Sequence, residues 1–214
     1  LYKAFGGGST RKWTISVWVK NWSVGTNGML IGRNTLNPNV RETCSMSGGR
    51  AQIAWQLRAG GSQHVYRKST YTSKGSHMDH TGWVHIVMQW DSNNGTTADR
   101  WIVYANNVRQ SQNQYNATHQ YSNSNVFSSS AYIGRAADTA SNVAEFYLAE
   151  YHGISDAKLD PTHFGFTDPD TGIWRPKSPA VVKANTTYNA GSWYLDFSDS
   201  SNIGTDRSGL GNNW

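Results

Sequence analysis

The chain has 214 residues, a mass of 23.7 kDa and a formal net charge of +5, with 37% hydrophobic and only 15% charged residues. That length fits one domain of the larger all-β kind. Mean hydropathy is -0.63, and no apolar run approaches the ~20 residues of a membrane-spanning helix, so none is expected.

Cys44 stands alone, which excludes an intramolecular disulfide framework and a cysteine-rich zinc site. The 21 Gly, 10 Trp and 11 Tyr suit strands and turns better than helices. From Leu1 onward there is no basic, apolar, small-residue signal pattern, so a secretory leader is not expected. The basic balance, with a pI near 9.3, implies mild attraction to acidic partners. Its charges are scattered (Arg11-Lys12, Arg67-Lys68, Lys74, Arg100, Arg109). Neither a dense basic run nor a nucleic-acid motif is present, so sequence-specific nucleic-acid binding is not expected.

In chain order, Gly6-Gly7-Gly8 reads as a flexible connector. Residues 11–20 (RKWTISVWVK) alternate Trp13, Ile15, Val17 and Val19 with Thr14, Ser16, Trp18 and Lys20. That period of two predicts a half-buried strand. Residues 29–33 and 51–58 are shorter strands around a polar loop at 34–50. Residues 61–81 are polar. Residues 83–90 (WVHIVMQW) form the strongest strand, with Val84, Ile86, Met88 and Trp90 on one face. Residues 100–105 form the next, and Asn106-Asn107 fits a tight hairpin because Asn tolerates positive φ. The Ser/Asn/Gln-rich stretch 111–130 reads as a surface loop or weak edge strand. Residues 143–154 form a further strand, and Leu159–Phe164 a short helical turn with Asp160 as N-cap and Pro161 at N1. The tail 165–214 is broken by Gly and Pro and anchored by Trp174, Trp193, Tyr194, Phe197 and Trp214.

No amphipathic helix longer than about two turns is visible. Many short strands with frequent turn signals predict an all-β, two-sheet antiparallel β-sandwich. The expected division is a sandwich over residues 1–164 and a loop-rich C-terminal appendix over 165–214, packed on the same domain.

Several groups could carry chemistry. Asp91, Asn93, Asn94 and Asp99 share one polar loop, and oxygen-rich loops bind calcium; Asp91, Asn93 and Asp99 are the candidate ligands. The alternative is that they cap turns, with Asp99 pairing a neighbouring arginine. His77, Asp79 and His80 sit in a Gly-flanked loop that could hold a transition metal, or be merely exposed. Glu150 and His152 share a strand face as a hydrogen-bonded pair or an acid–base pair. Tyr66, Tyr71, Tyr115 and Tyr121 lie in polar segments and are the candidate contacts for a glycan or a protein partner.

The order of segments adds a second line. Trp18-Val19-Lys20 is followed by Gly82-Trp83, Asp91, Asp99-Arg100, Asn106-Asn107, Ile133-Gly134-Arg135 and Leu148-Ala149-Glu150. Leu159-Asp160-Pro161, Phe164-Gly165, Gly172-Ile173-Trp174 and Pro176-Lys177 come next. The series closes with Tyr194-Leu195-Asp196-Phe197, Asp206-Arg207-Ser208-Gly209 and Asn212-Asn213-Trp214. This order resembles the laminin-G-like, concanavalin A-like jelly-roll domains of tailed-bacteriophage structural proteins, over nearly the whole chain.

The resemblance implies a virion structural protein displayed on the particle surface. It would act as capsid decoration, cement or head fibre, as a homo-oligomer contacting major capsid or tail proteins. The alternative it implies is a tail-associated or free carbohydrate-binding, lectin-like module for host attachment. Relatives in the laminin-G group often hold calcium; no other cofactor is expected. The wider superfamily contains glucanases built on a Glu-x-Asp-x-(x)-Glu strand. Here Glu145 and Glu150 are five apart, which places them on opposite faces of a regular strand, and Tyr147 or Leu148 replaces the middle Asp. No enzymatic activity is therefore expected.

Overall fold

A computed structural model describes residues 1–20, 27–33, 42–47, 52–59, 62–69, 82–115, 123–135 and 145–214. For residues 27, 28, 47, 52, 58, 59, 62–69 and 112–115 it describes the backbone alone.

The strands are β1 (Tyr2–Ala4), β2 (Lys12–Lys20), β3 (Asn27–Arg33), β4 (Glu42–Ser47), β5 (Gln52–Ala59) and β6 (Ser62–Ser69). They continue as β7 (Val84–Asp91), β8 (Trp101–Ala105), β9 (Val108–Arg109), β10 (Gln112–Tyr115), β11 (Ser130–Tyr132) and β12 (Tyr147–Ser155). The last part of the chain adds β13 (Gly165–Thr167), β14 (Trp174–Pro176), a short helix α1 (Pro179–Ala184) and β15 (Trp193–Leu195). Seven strands form one sheet in the order β1-β11-β3-β4-β5-β6-β10, and six form a second in the order β15-β12-β2-β7-β8-β9. Every described pairing is antiparallel. The fold is an all-β sandwich of two antiparallel sheets with a loop-rich C-terminal appendix.

The core lies between the two sheets. Trp13, Ile15, Val17 and Val19 of β2 and Val84, Ile86, Met88 and Trp90 of β7 face Ile31, Cys44, Met46, Ile53 and Trp55 of the opposite sheet. Trp13 and Trp55 meet edge to face across the gap at 5.1 Å, the geometry aromatic quadrupoles favour. Tyr151 Oη donates to Leu30 O at 2.9 Å and ties the sheets together through the core.

The predicted half-burial of β2 is too low, and β7 is likewise buried on both faces. Thr14, Ser16, Trp18, His85, Val87 and Gln89, which point away from the core, are buried as well. Their cover is the segment after β12: Phe164 and Val182 pack with Val87 and Ile154 over this outer face, joined by Ala157, Leu159 and Tyr188. Alternation read along one strand cannot show that a distant segment covers its polar face.

That segment is also part of the sandwich. β15 pairs with β12 (Tyr151↔Leu195, His152↔Tyr194, Gly153↔Trp193) and closes one edge of the six-stranded sheet. Strand β15 of the C-terminal segment therefore belongs to the six-stranded sheet. Further differences concern the stretches read as polar or loop: 34–50 holds β4 and 61–81 holds β6. Within 111–130, Gln112–Tyr115 is an edge strand beside β6, but Val126 and Phe127 belong to the core. The glycine connector is held too: Gly8 N donates to Phe127 O at 2.9 Å, and a Cβ at position 8 would overlap Phe127.

Asp206 organises the final residues. Its Oδ1 accepts from the backbone N–H of Tyr194 and Ser208, both at 2.9 Å. Its Oδ2 accepts from Ser208 Oγ at 2.7 Å and Asn212 N at 2.8 Å. Asn213 Oδ1 returns a bond to the Asp206 N–H at 2.8 Å. The indole of Trp214 then packs edge-on against Trp193 and Phe5.

Candidate functional site

The candidate calcium loop joins β7 to β8. Asp91 Oδ1 accepts from Asn93 N at 3.2 Å, and Asn94 Oδ1 accepts from Thr96 N at 2.9 Å, as turn-capping side chains do. Asp99 Oδ1 pairs with Arg109 at 2.6 Å. The buried Arg100 sends its Nε–H to Asn94 O at 2.8 Å and its Nη2 to Gly95 O at 3.5 Å. The guanidinium thus satisfies the carbonyls of Asn94 and Gly95 within the loop. Asp91, Asn93 and Asp99 do not converge on a common point through any described contact. Among the described residues no three carboxylate, imidazole or thiol groups gather as a metal site.

Glu150 and His152 do meet, at a bulge. The β12–β2 register shifts between Ala149 and His152, and Glu150 takes φ +48°, a left-handed conformation costly for a side chain with a Cβ. Glu150 Oε2 accepts from Tyr194 Oη at 2.7 Å. Burial raises the Glu150 pKa, the Tyr194 bond opposes this, and the charge of Asp196 adds to it. His152 stacks flat on Tyr194 at 4.1 Å, with Nδ1 3.0 Å from Tyr188 Oη. Its Nε2 is 3.9 Å from Glu150, too long for a hydrogen bond. Burial pushes the His152 pKa down to about 3, so the imidazole is neutral and the contact is not an ion pair. Glu145 is exposed ahead of β12.

Of the four candidate tyrosines, Tyr66 and Tyr115 face each other in the register of β6 and β10. Their side chains, and all of Tyr71 and Tyr121, lie outside the described residues, as do His77, Asp79 and His80.

The structure adds a site that the sequence reading did not single out. Beyond β12 the chain turns at Asp156 (φ +60°) and runs Lys158, Leu159, Asp160 into a 3-10 turn, Pro161–His163. Asp160 stands at the expected cap position, but it is its carbonyl that bonds His163 N, at 2.9 Å; the side chain makes no cap. After the β13–β14 hairpin, Ser178 caps α1 by accepting from Val181 N at 3.4 Å, with Pro179 opening the helix. A cleft of about 440 Å³ opens between these two segments. Lys158, Leu159, Asp160, Thr162 and His163 line one side; Lys177, Val181 and Asn185 line the other.

Its polar groups are held in place. Lys158 Nζ donates to Asp99 O at 3.1 Å, and Lys177 Nζ to Thr162 O at 2.7 Å. Each ammonium has further N–H donors to offer. Thr186 Oγ1 donates to Val182 O at 2.6 Å, so it accepts from His163 Nε2 at 2.7 Å, which puts the imidazole proton on Nε2. Burial, and then the Lys177 charge, lower the His163 pKa. Beneath the cleft the buried Gln89 donates from Nε2 to Leu159 O at 2.8 Å and reaches Asp160 Oδ1 at 3.5 Å. The sequence signal here was the Leu159-Asp160-Pro161 turn. Lys158 and Lys177 are nineteen positions apart and read as scattered surface charge.

No protein-family model matches this sequence, and no curated protein matches it. Solved structures of similar shape include a heptameric SAP-like pentraxin from Limulus polyphemus (14% identity, TM-score 0.45, over 74% of this chain and 76% of that one). Domains LG4-5 of the mouse laminin alpha1 chain align at 10% identity and a TM-score of 0.48, over 73% of this chain and 42% of that one. The CBM40 module of the Ruminococcus gnavus IT-sialidase, solved with alpha2,6 sialyllactose, aligns at 13% identity and 0.47, over 67% and 86%. At such identities the likeness concerns fold, which the sheets and their register establish on their own.

Proposed function

We propose that this chain is a non-catalytic carbohydrate-binding module that recognises a glycan in the cleft between the 3-10 turn and α1. One observation carries the reading. The cleft, about 440 Å³ in volume, combines fixed donors (Lys158, Lys177), acceptors (Asp160, Asn185) and the apolar side chains of Leu159 and Val181 on its two walls, to which a C–H face can pack. Sugars need that mixture: hydroxyls for both kinds of polar group and a C–H face for the apolar side chains. Titration of the full chain against a glycan panel, followed by amide NMR, tests it. Binding should shift the resonances of 158–163 and 177–186. Failure of every glycan to perturb those segments would refute the reading.

Glu150 does not serve as an acid catalyst in this proposal, because its carboxylate is committed to Tyr194. A Glu150→Gln chain should bind the same glycan, and neither form should hydrolyse it.

A second reading places the module on the surface of a tailed-phage virion, as decoration or host-attachment protein. It rests on the ordered motifs, whose ending (Tyr194-Leu195-Asp196-Phe197, Asp206-Arg207-Ser208-Gly209 and Asn212-Asn213-Trp214) is the part more specific to phage proteins and is joined by the hydrogen bonds of Asp206 described above. Antibody labelling of virions by electron microscopy tests it. Head label would indicate decoration, tail label would indicate attachment, and no label would refute the virion setting.

A further inference from the structure

We infer that the cleft selects an acidic sugar, one bearing a carboxylate or sulfate beside free hydroxyls; this rests on the glycan-binding reading above. Two ammoniums flank the opening, Lys158 on one wall and Lys177 on the other. Each is oriented by one carbonyl bond, to Asp99 O and Thr162 O respectively. Orienting a lysine before the ligand arrives removes part of the entropy cost that weakens flexible surface lysines as anion binders. Among the described lining residues Asp160 is the one carboxylate beside two lysines, so they carry a net positive charge. A neutral sugar would leave that surplus unanswered.

The same walls argue against a bare anion. Asp160 and Asn185 present acceptor oxygens beside the lysines, and Asn185 fixes its own amide by donating from Nδ2 to Val181 O at 2.8 Å. Asp160 is held from below by Gln89, 1% exposed, whose Oε1 has no hydrogen-bond partner among the described residues. Acceptors next to cations repel inorganic phosphate or sulfate but suit a ligand whose negative group is followed by hydroxyl donors. An acidic sugar has both.

His163 adds a dependence on pH. It lies beside Lys177 and is partly buried, and both influences favour the neutral ring. Its Nε2–H is spent on Thr186, which leaves Nδ1 as the site for a second proton. A bound anion near Lys177 would favour that proton, so affinity for the acidic sugar should rise as pH falls below 6.5 and affinity for a neutral one should not.

The test is calorimetric titration of the full chain with a uronate oligosaccharide, its carboxyl-reduced neutral analogue, a sulfated oligosaccharide and inorganic phosphate. The acidic sugars should bind at least about tenfold tighter than the neutral analogue, and added salt should shrink the difference. Lys177→Gln and Lys158→Gln should each remove about tenfold of the uronate affinity with melting temperature unchanged. If either variant is destabilised, Asp160→Asn provides the second check: it should weaken the neutral sugar and strengthen phosphate, narrowing the preference for the acidic sugar over a bare anion. Equal binding of the acidic and neutral sugars would overturn this inference and leave glycan recognition standing. Phosphate competing as well as the uronate would mean an anion site only and overturn it too. If no sugar of either kind binds, the glycan-binding reading falls with it.

Discussion

The indole Nε1 of Trp174 lies 3.0 Å from Nδ1 of His85. An indole nitrogen can only donate, so Nδ1 must accept. The ring proton of this buried histidine is therefore on Nε2 and is shared with Ser16 Oγ at 2.8 Å. One bond thus sets a tautomer in the middle of the six-stranded sheet and pins the β13–β14 hairpin onto it.

Replacing Trp174 by Phe keeps most of the packing and removes the donor. Nδ1 of His85 would then be buried without a partner, at a cost of about 1–3 kcal/mol. Urea unfolding should show that loss, and nitrogen NMR of the wild type should show His85 protonated at Nε2. An unchanged unfolding midpoint would mean the bond is not formed in solution.

The buried titratable groups give opposite pH limbs. Burial raises Glu42 to about 7, against the pull of its bonds from Ser124 and Asn125 and of the Arg33 charge. Its folded pKa lies above the ordinary glutamate value of 4.5, so its stability contribution is complete below that value and is lost as pH rises toward 7. Burial lowers His85 and His152 to about 3 from 6.5. Their contribution is present above 6.5 and lost as pH falls toward 3. Each group supplies a slope of about 1.4 kcal/mol per pH unit within its window. From 6.5 down to 4.5, Glu42 cancels one histidine; below 4.5, both histidines act unopposed and stability should fall more steeply. Melting curves between pH 7.5 and 3.5 should show that break. Glu42→Gln should remove the cancelling term and steepen the loss between 6.5 and 4.5.

Asp206 accepts four hydrogen bonds from three residues of the final segment. Asp206→Ala should cost about 2–4 kcal/mol and release residues 207–214 to rapid proteolysis while the sandwich remains folded. Asp206→Asn, which keeps one acceptor oxygen, should cost less. Equal loss in both variants would mean that the charge, rather than the bonding pattern, holds the clasp.

In the loop between β7 and β8, Arg100 meets the carbonyls and Arg109 meets Asp99. Calcium or a chelator should leave the melting temperature unchanged. Asp99→Asn should cost under about 1 kcal/mol, as for other solvent-exposed pairs. A calcium-dependent rise in melting temperature would show that an ion displaces Arg100.

Much of the sandwich was legible because its strands alternate. The faces of β2 and β7 follow from Trp13 to Val19 and Val84 to Trp90, and Asn106-Asn107 marks its hairpin with φ of 45° and 67°. What was not legible involves partners distant in sequence. Trp18 and His85 look like residues of a polar face until residues 157–188 are laid over them. Gly153 inside β12 was a readable sign of close approach: Trp193 lies where its Cβ would be. The cleft escaped notice because Lys158 and Lys177 share no local pattern and meet only after the hairpin between them folds back.

The pairing of β15 with β12 has a bearing on synthesis. At about 5–20 residues per second, the stretch from Ser155 to Trp193 takes roughly 2–8 s to emerge. Through that interval β12 offers the ribosome-bound chain a bare edge along Tyr151, His152 and Gly153, so the six-stranded sheet gains its last strand only near the end of synthesis.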